Sequence, residues 1–428
     1  MTIKTLHITN AWHSASGGIA TFYRALLQAA CTHRRSMSLV VPAETDMQEQ
    51  WAEGVCLYGI CARTAPLNQD YRWLSPASYL FPGGRVKRIL RDERPDLVEI
   101  CDKYSFPLLG GLLRHGWLAG GERRPTVVGL SCERMDDNVS AYLTEAQAAR
   151  SLSRLYMKWL YFPMCDHHLA VSQYTAEELA LASKGHRVRR GVWICPMGVD
   201  CTRFTPARRS RETRARLLAQ TGCPQGGHLL LYAGRLAPEK NVSLLLDLME
   251  RLPGRNHRMI IAGDGMLRSE FSREAEQRAP GLFHFRGHVA DREELADLYA
   301  NCDLFVHPNP REPFGIAPLE AMASGLPLLA PKCGGLTAYA DDDNAWLTLP
   351  DAKAFATMAQ RALSGGAKRQ ARLAKARQTA DHYAWPAVAA RYLTLYDELH
   401  RLTAAASTDP CMAPSFYSTP GDWLGREI

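Results

Sequence analysis

The stretch "DLFVHPNPREPFGIAPLEAMASGLPLLAP", residues 303–331, decides the fold. "DLFVHPN" at its start reads as a strand. A helix is expected from about Ile316, stopping before Gly325, a residue suited to the left-handed position just past a helix. The apolar run "LPLLAP" then reads as a second strand. Strand, helix and strand, with both strands apolar throughout, describe a crossover unit of a parallel sheet covered on both faces.

The same alternation extends in both directions. Upstream of residue 198, "TLHITNA", "MSLVVPA", "DLVEICD" and "TVVGLSC" are apolar runs of strand length separated by helical or irregular pieces. Downstream, "HLLLYAGRL", "RMIIAGDG" and "FHFRGHV" precede the opening stretch. Between the two sets, "ICPMGVDCTRFTPARR" (194–209) is rich in proline, glycine and turn formers, which marks a boundary. The expected organisation is α/β: a doubly wound domain at 1–197 and a second at 198–384. An amphipathic helix at 385–402 follows, with Trp385, Val388, Tyr392, Tyr396 and Leu399 at helical spacing, then a loose tail at 403–428. "SLSRLYMKWLYFP" (151–163) reads as a helix with a broad apolar face, of the kind that enters a core or meets a membrane.

Composition narrows the functional classes. At 428 residues, 46% hydrophobic and 22% charged, the chain has the make-up of a soluble two-domain protein. No apolar run reaches the ~18 to 20 residues that span a bilayer, and the first residues lack the apolar segment of a secretory signal, so a cytoplasmic protein is expected. The twelve cysteines are scattered without a Cys-x-x-Cys pair, which indicates neither a zinc site nor a redox motif. Most of the net charge of +7 falls before residue 198, densest in "GGRVKRILRDERPD" (83–96) and "KGHRVRRG" (184–191). No nucleic-acid motif accompanies these stretches, so they suit a solvated surface, an anionic membrane at the inner leaflet or a phosphorylated acceptor.

Several strand ends in the second half carry residues suited to a phosphorylated ligand. Gly234 and Arg235 are followed by Lys240: a planar donor fork and a point charge across a turn, as a diphosphate requires, although two solvated cations would read the same in isolation. Gly263 and Gly265 would let a ligand approach the backbone, and the turn reaching Val289 could offer backbone groups to a base. The expected helix would point its early amides into the cleft, where unpaired N–H groups and the macrodipole stabilise a diphosphate. Glu312 precedes that helix and Glu320 lies a turn inside it, so they are expected to take separate partners: a sugar and a ribose at opposite ends of one long ligand. A glycosidase pair competes with this reading, but hydrolases have no need of the phosphate that Arg235 and Lys240 imply. "RMDDN" (134–138) and "DDDN" (341–344) read as turns.

In "LYAGRLAPEKN", "IIAGDG" and "EPFGIAPLEAMASGLPLLAPKCGG" the chain resembles the retaining glycosyltransferases of family 4, over nearly all of its length to about residue 400. The resemblance implies a GT-B fold, with two Rossmann-like domains facing a central cleft and the helix at 385–402 crossing back to the first. It implies that Arg235 and Lys240 hold the donor diphosphate, that Glu312 contacts the donor sugar, that Glu320 binds ribose hydroxyls and that the backbone amides around Phe314, Gly315, Ile316 and Ala317 serve sugar and phosphate. Gly17 and Gly18 resemble the family's glycine pair that closes over the phosphate. The segment Ser131, Cys132 and Glu133 falls at the sugar and acceptor site, with Cys132 where many relatives carry a histidine. Met197 stands where an asparagine is usual, and "LTAYA" after Gly335 lacks the acidic residue of relatives. The implied activity is transfer of a hexose from GDP-mannose or a UDP-hexose to a hydroxyl of a lipid or glycan, forming an α bond. The nucleotide-sugar is a co-substrate, with no cofactor and no metal. A sugar-nucleotide epimerase and a nucleotide-sugar binder without turnover are the alternatives.

Overall fold

A computed structural model describes residues 2–12, 17–65, 68–118, 123–142, 146–186 and 191–408. The chain divides into two compact units, Met1–Pro196 with the chain from Pro386 onward, and Met197–Trp385. The first change of unit falls inside the proline- and glycine-rich stretch 194–209.

Among the described residues the first unit has ten strands: β1 (Thr5–Thr9), β2 (Met37–Ala43), β3 (Met47–Ala52), β4 (Val55–Cys61), β5 (Thr64–Ala65), β6 (Asn68–Arg72), β7 (Leu97–Cys101), β8 (Thr126–Ser131), β9 (His167–Ala170) and β10 (Gly191–Ile194). Eight of them form one sheet in the order β10-β9-β8-β7-β1-β2-β4-β3, and β5 pairs with β6. Every neighbour in the large sheet is parallel except β3 with β4. β3 reads "MQEQWA" and exposes its first four residues, so the edge is polar and resists pairing with another chain. That polarity is why it does not announce itself as a strand. β9 is also hidden, because "HHLA" buries two histidines. His167 Nε2 lies 3.0 Å from Thr403 Oγ1 and His168 Nε2 lies 3.1 Å from the Phe162 carbonyl. Burial pushes His167 down to about 4, so it stays neutral.

The second unit carries β11 (His228–Ala233), β12 (His257–Ala262), β13 (Phe283–Gly287), β14 (Leu304–Val306), β15 (Leu328–Pro331) and β16 (Trp346–Thr348). They form one all-parallel sheet in the order β13-β12-β11-β14-β15-β16. The sheet grows outward from its middle: β11, β12 and β13 follow one another to one edge, and β14, β15 and β16 to the other. Strand order therefore reverses between β11 and β14, where α/β sheets leave a crevice at their carboxyl ends. Leu230, Ile261, Leu245, Met249 and Phe355 are buried together in this unit's core.

Three expectations change. The terminal helix spans Trp385–Thr408, beyond residue 402, because "LTAAAS" continues in helix formers and Thr403 is tied to His167; residues 409–428 lie outside the described residues, as do 187–190 of the basic stretch at 184–191. "RMDDN" opens a helix, Met135–Tyr142, instead of a turn. Its first amides, from Met135 and Asp136, donate to Glu178 at 2.7 and 3.1 Å, so a carboxylate from another helix supplies the cap. "SLSRLYMKWLYFP" is only in part a core element, since Met157, Tyr161 and Phe162 are buried while Leu152, Leu155, Trp159 and Leu160 are exposed.

The terminal helix joins the first unit through a buried carboxylate. Glu99 on β7 is fully buried and accepts from His7 Nδ1 (2.9 Å), from the Tyr23 hydroxyl (2.9 Å) and from the Tyr396 hydroxyl. His7 Nε2 completes the chain at 3.1 Å from Thr5 Oγ1. Arg35 pairs with Asp397 at the rim of the same contact. Tyr396→Phe removes one donor from a buried charge and should cost roughly 1–3 kcal/mol. Hydrogen exchange should show faster opening of Trp385–Thr408 than in the wild type, with the second unit's strands unchanged.

Candidate active site

The expected donor-site residues of the second half lie on loops at the carboxyl ends of the second unit's strands and on the helix Ile316–Ala323, and Lys240 and Glu312 touch. After β11 the chain turns through Gly234 and Arg235, where the Tyr232 hydroxyl donates to the Arg235 carbonyl at 2.7 Å. A short 3-10 turn, Pro238–Lys240, follows. After β14 comes the loop His307–Gly315. Lys240 Nζ and Glu312 Oε2 meet at 2.9 Å, joining the two loops on either side of the reversal between β11 and β14. Arg235 instead pairs with Glu239 at 3.0 Å and keeps a partly exposed guanidinium. The two cations therefore do not share one partner.

Glu312 has further neighbours that the sequence reading left without a role. Asn309 Nδ2 donates to the same Oε2 at 2.9 Å, and Asn309 Oδ1 accepts from the Arg311 amide at 2.9 Å. His307 Nε2 lies 3.5 Å from Oε2 without making a hydrogen bond. Asn241 Nδ2 donates to the Pro308 carbonyl at 3.1 Å, linking the loops a second time. Burial acts to raise the Glu312 pKa, but Lys240 and its other neighbours outweigh it and hold the carboxyl at about 2. Burial pushes His307 down to about 4 against the pull of Glu312, with Lys240 adding to the fall. At neutral pH Glu312 is therefore ionised and the His307 imidazole neutral.

The helix Ile316–Ala323 starts at Gly315, which has φ of +91°. A Cβ there would also lie 2.9 Å from the Tyr339 hydroxyl, so both conformation and space require glycine. That hydroxyl donates to the Gly315 carbonyl at 2.6 Å, and Phe314 packs on the Tyr339 ring. Pro318 has no N–H, so Ile316 and Ala317 carry the amides of the opening turn. The Gly335 amide donates to the Glu312 carbonyl at 2.6 Å and fastens the loop from the far side.

Glu320 sits in this helix, buried, with Oε1 accepting from Arg292 Nη2 at 2.7 Å. It has a different partner from Glu312. Arg292 belongs to the helix Arg292–Asn301, and nothing in the sequence pairs it with a glutamate 28 residues on. Gly263 follows β12 in contact with the first loop: a Cβ there would meet the Gly234 carbonyl oxygen at 1.9 Å. The Gly234 amide donates to the Ala262 carbonyl at 3.1 Å, and the Gly265 amide to Asp264 Oδ1 at 2.8 Å. Val289 is half-buried in the loop after β13.

In the first unit, Gly17 and Gly18 are the exposed first residues of the helix Gly17–Thr32, and a Cβ at Gly17 would meet nothing within 4 Å. Ser131 ends β8, buried. Cys132 Sγ lies 3.7 Å from Cys101 Sγ, and this contact together with burial raises its pKa well above the thiol range. Cys132 is thus a protonated thiol. Burial also raises Glu133, whose Oε2 accepts from Asn138 Nδ2 at 2.6 Å.

Residues 213–379 match the family model described as glycosyl transferases group 1. Over 304 residues the chain is 31% identical to a GDP-mannose-dependent alpha-mannosyltransferase of Mycobacterium tuberculosis, covering 69% of each chain. The chain belongs to the group 1 glycosyl transferases. It is also 27% identical over 394 residues, 91% of its length and 95% of the relative's, to a protein of the same organism named GDP-mannose-dependent alpha-(1-6)-phosphatidylinositol dimannoside mannosyltransferase. Among solved structures it superposes on sucrose-phosphate synthase from Thermosynechococcus elongatus with a TM-score of 0.73, at 19% identity over 93% of this chain and 99% of the other. It superposes on Anabaena HepE in complex with UDP and glucose with a TM-score of 0.69, at 18% identity over 92% and 100%. These likenesses give the GT-B fold class, with two Rossmann-like units.

Two outcomes follow from the electrostatics. His307 binds a proton more weakly folded than unfolded, so its contribution to stability is present above about pH 6.5 and is lost as pH falls toward about 4. Melting temperatures between those values should fall on acidification, and His307→Gln should flatten the slope. Arg292→Met leaves Glu320 buried without its cation and should destabilise the second unit by about 3 kcal/mol, read by urea unfolding.

Proposed function

We propose that this glycosyltransferase is a retaining enzyme that moves mannose from GDP-mannose to a hydroxyl of a lipid or glycan acceptor, forming an α-glycosidic bond. The observation that carries the reading is the Lys240–Glu312 pair at the strand-order reversal, beside the start of the helix Ile316–Ala323. The choice of donor draws on the names of the two mannosyltransferases to which most of this chain is similar.

In this reading Arg235 and Lys240 take the donor diphosphate, together with the Ile316 and Ala317 amides. A diphosphate competes with Glu312 for Lys240, and Glu312, held ionised, accepts from sugar hydroxyls. Glu320 accepts from the ribose on the side that Arg292 leaves open. Gly234, Gly263 and Gly265 keep side chains away from the nucleotide, and Gly17 and Gly18 close on the phosphate. Ser131, Cys132 and Glu133 line the acceptor side, where Cys132 adds bulk and a weak donor. The bond from the anomeric carbon to the β-phosphate oxygen breaks as the acceptor oxygen bonds to that carbon on the same face. The acceptor proton passes to the departing phosphate oxygen. The protein supplies position and positive charge at the leaving group, so neither metal nor cofactor is required. A lipid acceptor places the enzyme at the inner face of a membrane; among the described residues no helix is long and apolar enough to cross one.

The test offers GDP-mannose, UDP-glucose, UDP-N-acetylglucosamine and UDP-galactose with and without a bacterial lipid and glycan extract, and quantifies released nucleoside diphosphate. GDP release should occur from GDP-mannose, rise with extract and survive a chelator. Lys240→Met should lower it by on the order of 10²–10³, and Glu312→Gln should lower it as well. Release from a UDP-sugar alone would overturn the donor assignment. Nucleotide binding without release from any donor would overturn transfer altogether.

A further inference from the structure

The first unit has an apolar face that its core does not use. The helix Ala146–Tyr156 continues into a π-helical turn, Met157–Tyr161, and its inward side buries Ala149, Ser153, Met157 and Tyr161. On the outward side Leu152 is 66% exposed, Leu155 56%, Trp159 60% and Leu160 53%. A 430 Å³ groove runs beside them, lined by Met135, Val139 and Tyr156 as well as these side chains, and its surface is almost wholly apolar. Four large exposed hydrophobes on two turns exceed the scattered apolar residues of an ordinary surface.

Charge along the same element has one sign. Arg150, Arg154 and Lys158 recur every four residues and so lie in a line beside the apolar sector, and Lys158 Nζ stands 5.2 Å from the Trp159 ring centre. Residues 146–164 contain no aspartate or glutamate. Lys184 is exposed, and the His186 ring contacts Trp159. A second protein would need carboxylates aligned to this line, whereas an anionic bilayer offers negative charge at every position and accepts leucine and tryptophan beneath it.

The geometry points to this face, Leu152 to Leu160 with its arginine and lysine line, as the surface by which the protein docks on an anionic phospholipid bilayer. The inference deepens the lipid-acceptor reading and rests on it. Docking here sets the membrane near the acceptor segment, because the wall of the groove is tied to that segment through Lys103. Met135 follows Glu133 by two residues, the Tyr156 hydroxyl donates to the Lys103 carbonyl at 2.8 Å, and Lys103 Nζ donates to the Glu133 carbonyl. The basic helix Arg85–Glu93 is a poorer candidate, since Val86, Ile89 and Leu90 are spent on the core and Arg85 is paired with Asp46.

The test is co-sedimentation of the full chain with vesicles of phosphatidylcholine, with and without phosphatidylglycerol, at rising salt and without any nucleotide-sugar. Binding should need phosphatidylglycerol and fall with salt. Arg150→Gln with Arg154→Gln should weaken it roughly fivefold per arginine, and Leu155→Ser with Trp159→Ser should abolish it. Both variants alter exposed side chains, and an unchanged melting temperature and nucleotide affinity would show that they fold. Binding unchanged in both variants, equal binding to neutral vesicles, or loss only on Lys87→Gln with Arg88→Gln would overturn the assignment. So would a dimer in wild-type protein that the Leu155 and Trp159 changes dissociate without any vesicle binding. Since no donor is present, failure here leaves the GDP-release assay standing, and failure of GDP release leaves vesicle binding to be read by itself.

Discussion

A lysine and a glutamate that meet between the first and fourth strands of a six-stranded parallel sheet hold the second unit's site together. Lys240 ends a short 3-10 turn and Glu312 lies in a loop, and each holds the segment of the other. Burying Glu312 by itself would favour its protonation; with Lys240 and Asn309 beside it the carboxyl stays ionised to about pH 2. The surroundings are arranged for this pair: Gly315 turns the chain into the next helix, Gly335 ties the glutamate backbone, and Asn241 bridges the loops again. The reversal of strand order makes the arrangement possible, because only there do two adjacent strands send their following helices to opposite faces and leave the loops between them open.

The two units use buried charge differently. Glu99 is fixed by three side-chain donors from β1, the helix Gly17–Thr32 and the terminal helix, an arrangement with every partner built in. Its effect is to fasten a distant part of the chain onto the first unit. Lys103 and Glu178 do likewise, joining the end of β7 to the helix Gln173–Ser183. Around Glu312 the partner is instead a lysine that stays partly exposed, and Arg235 pairs with Glu239 four residues on. Fully enclosed charges make a rigid joint. A half-open pair can exchange its partner for a ligand at smaller cost.

The proposed transfer and the proposed docking face divide the labour between the units. Nucleotide chemistry draws on loops of the second unit that an ordinary Rossmann sheet already places together. Acceptor access draws on the first unit, where the helix after Met135 and the face after Arg150 depart from a purely structural role. Membrane docking of that face would hold a lipid hydroxyl near the segment from Ser131 to Glu133 and lower the entropy of the encounter.

Much of the second unit's sheet, and the loops at its strand ends, was legible in the chain. Apolar runs of strand length and the glycine after the helix reported a parallel sheet, because each acts locally on backbone conformation. Glu312, Glu320, Lys240 and Arg235 could be picked out because strand ends in such a sheet face the ligand crevice. Their partners could not. Arg292 reaches Glu320, and His307 and Asn309 gather at Glu312, only through packing between elements far apart in sequence or around one loop. The polar edge strand β3 and the histidine strand β9 escaped notice because their character is set by neighbours, not by their own hydrophobicity. The same limit explains the segment 151–163. Its periodicity established an amphipathic helix, but which of its apolar residues enter the core is fixed by the elements packed against it, and that was decided by the tertiary structure.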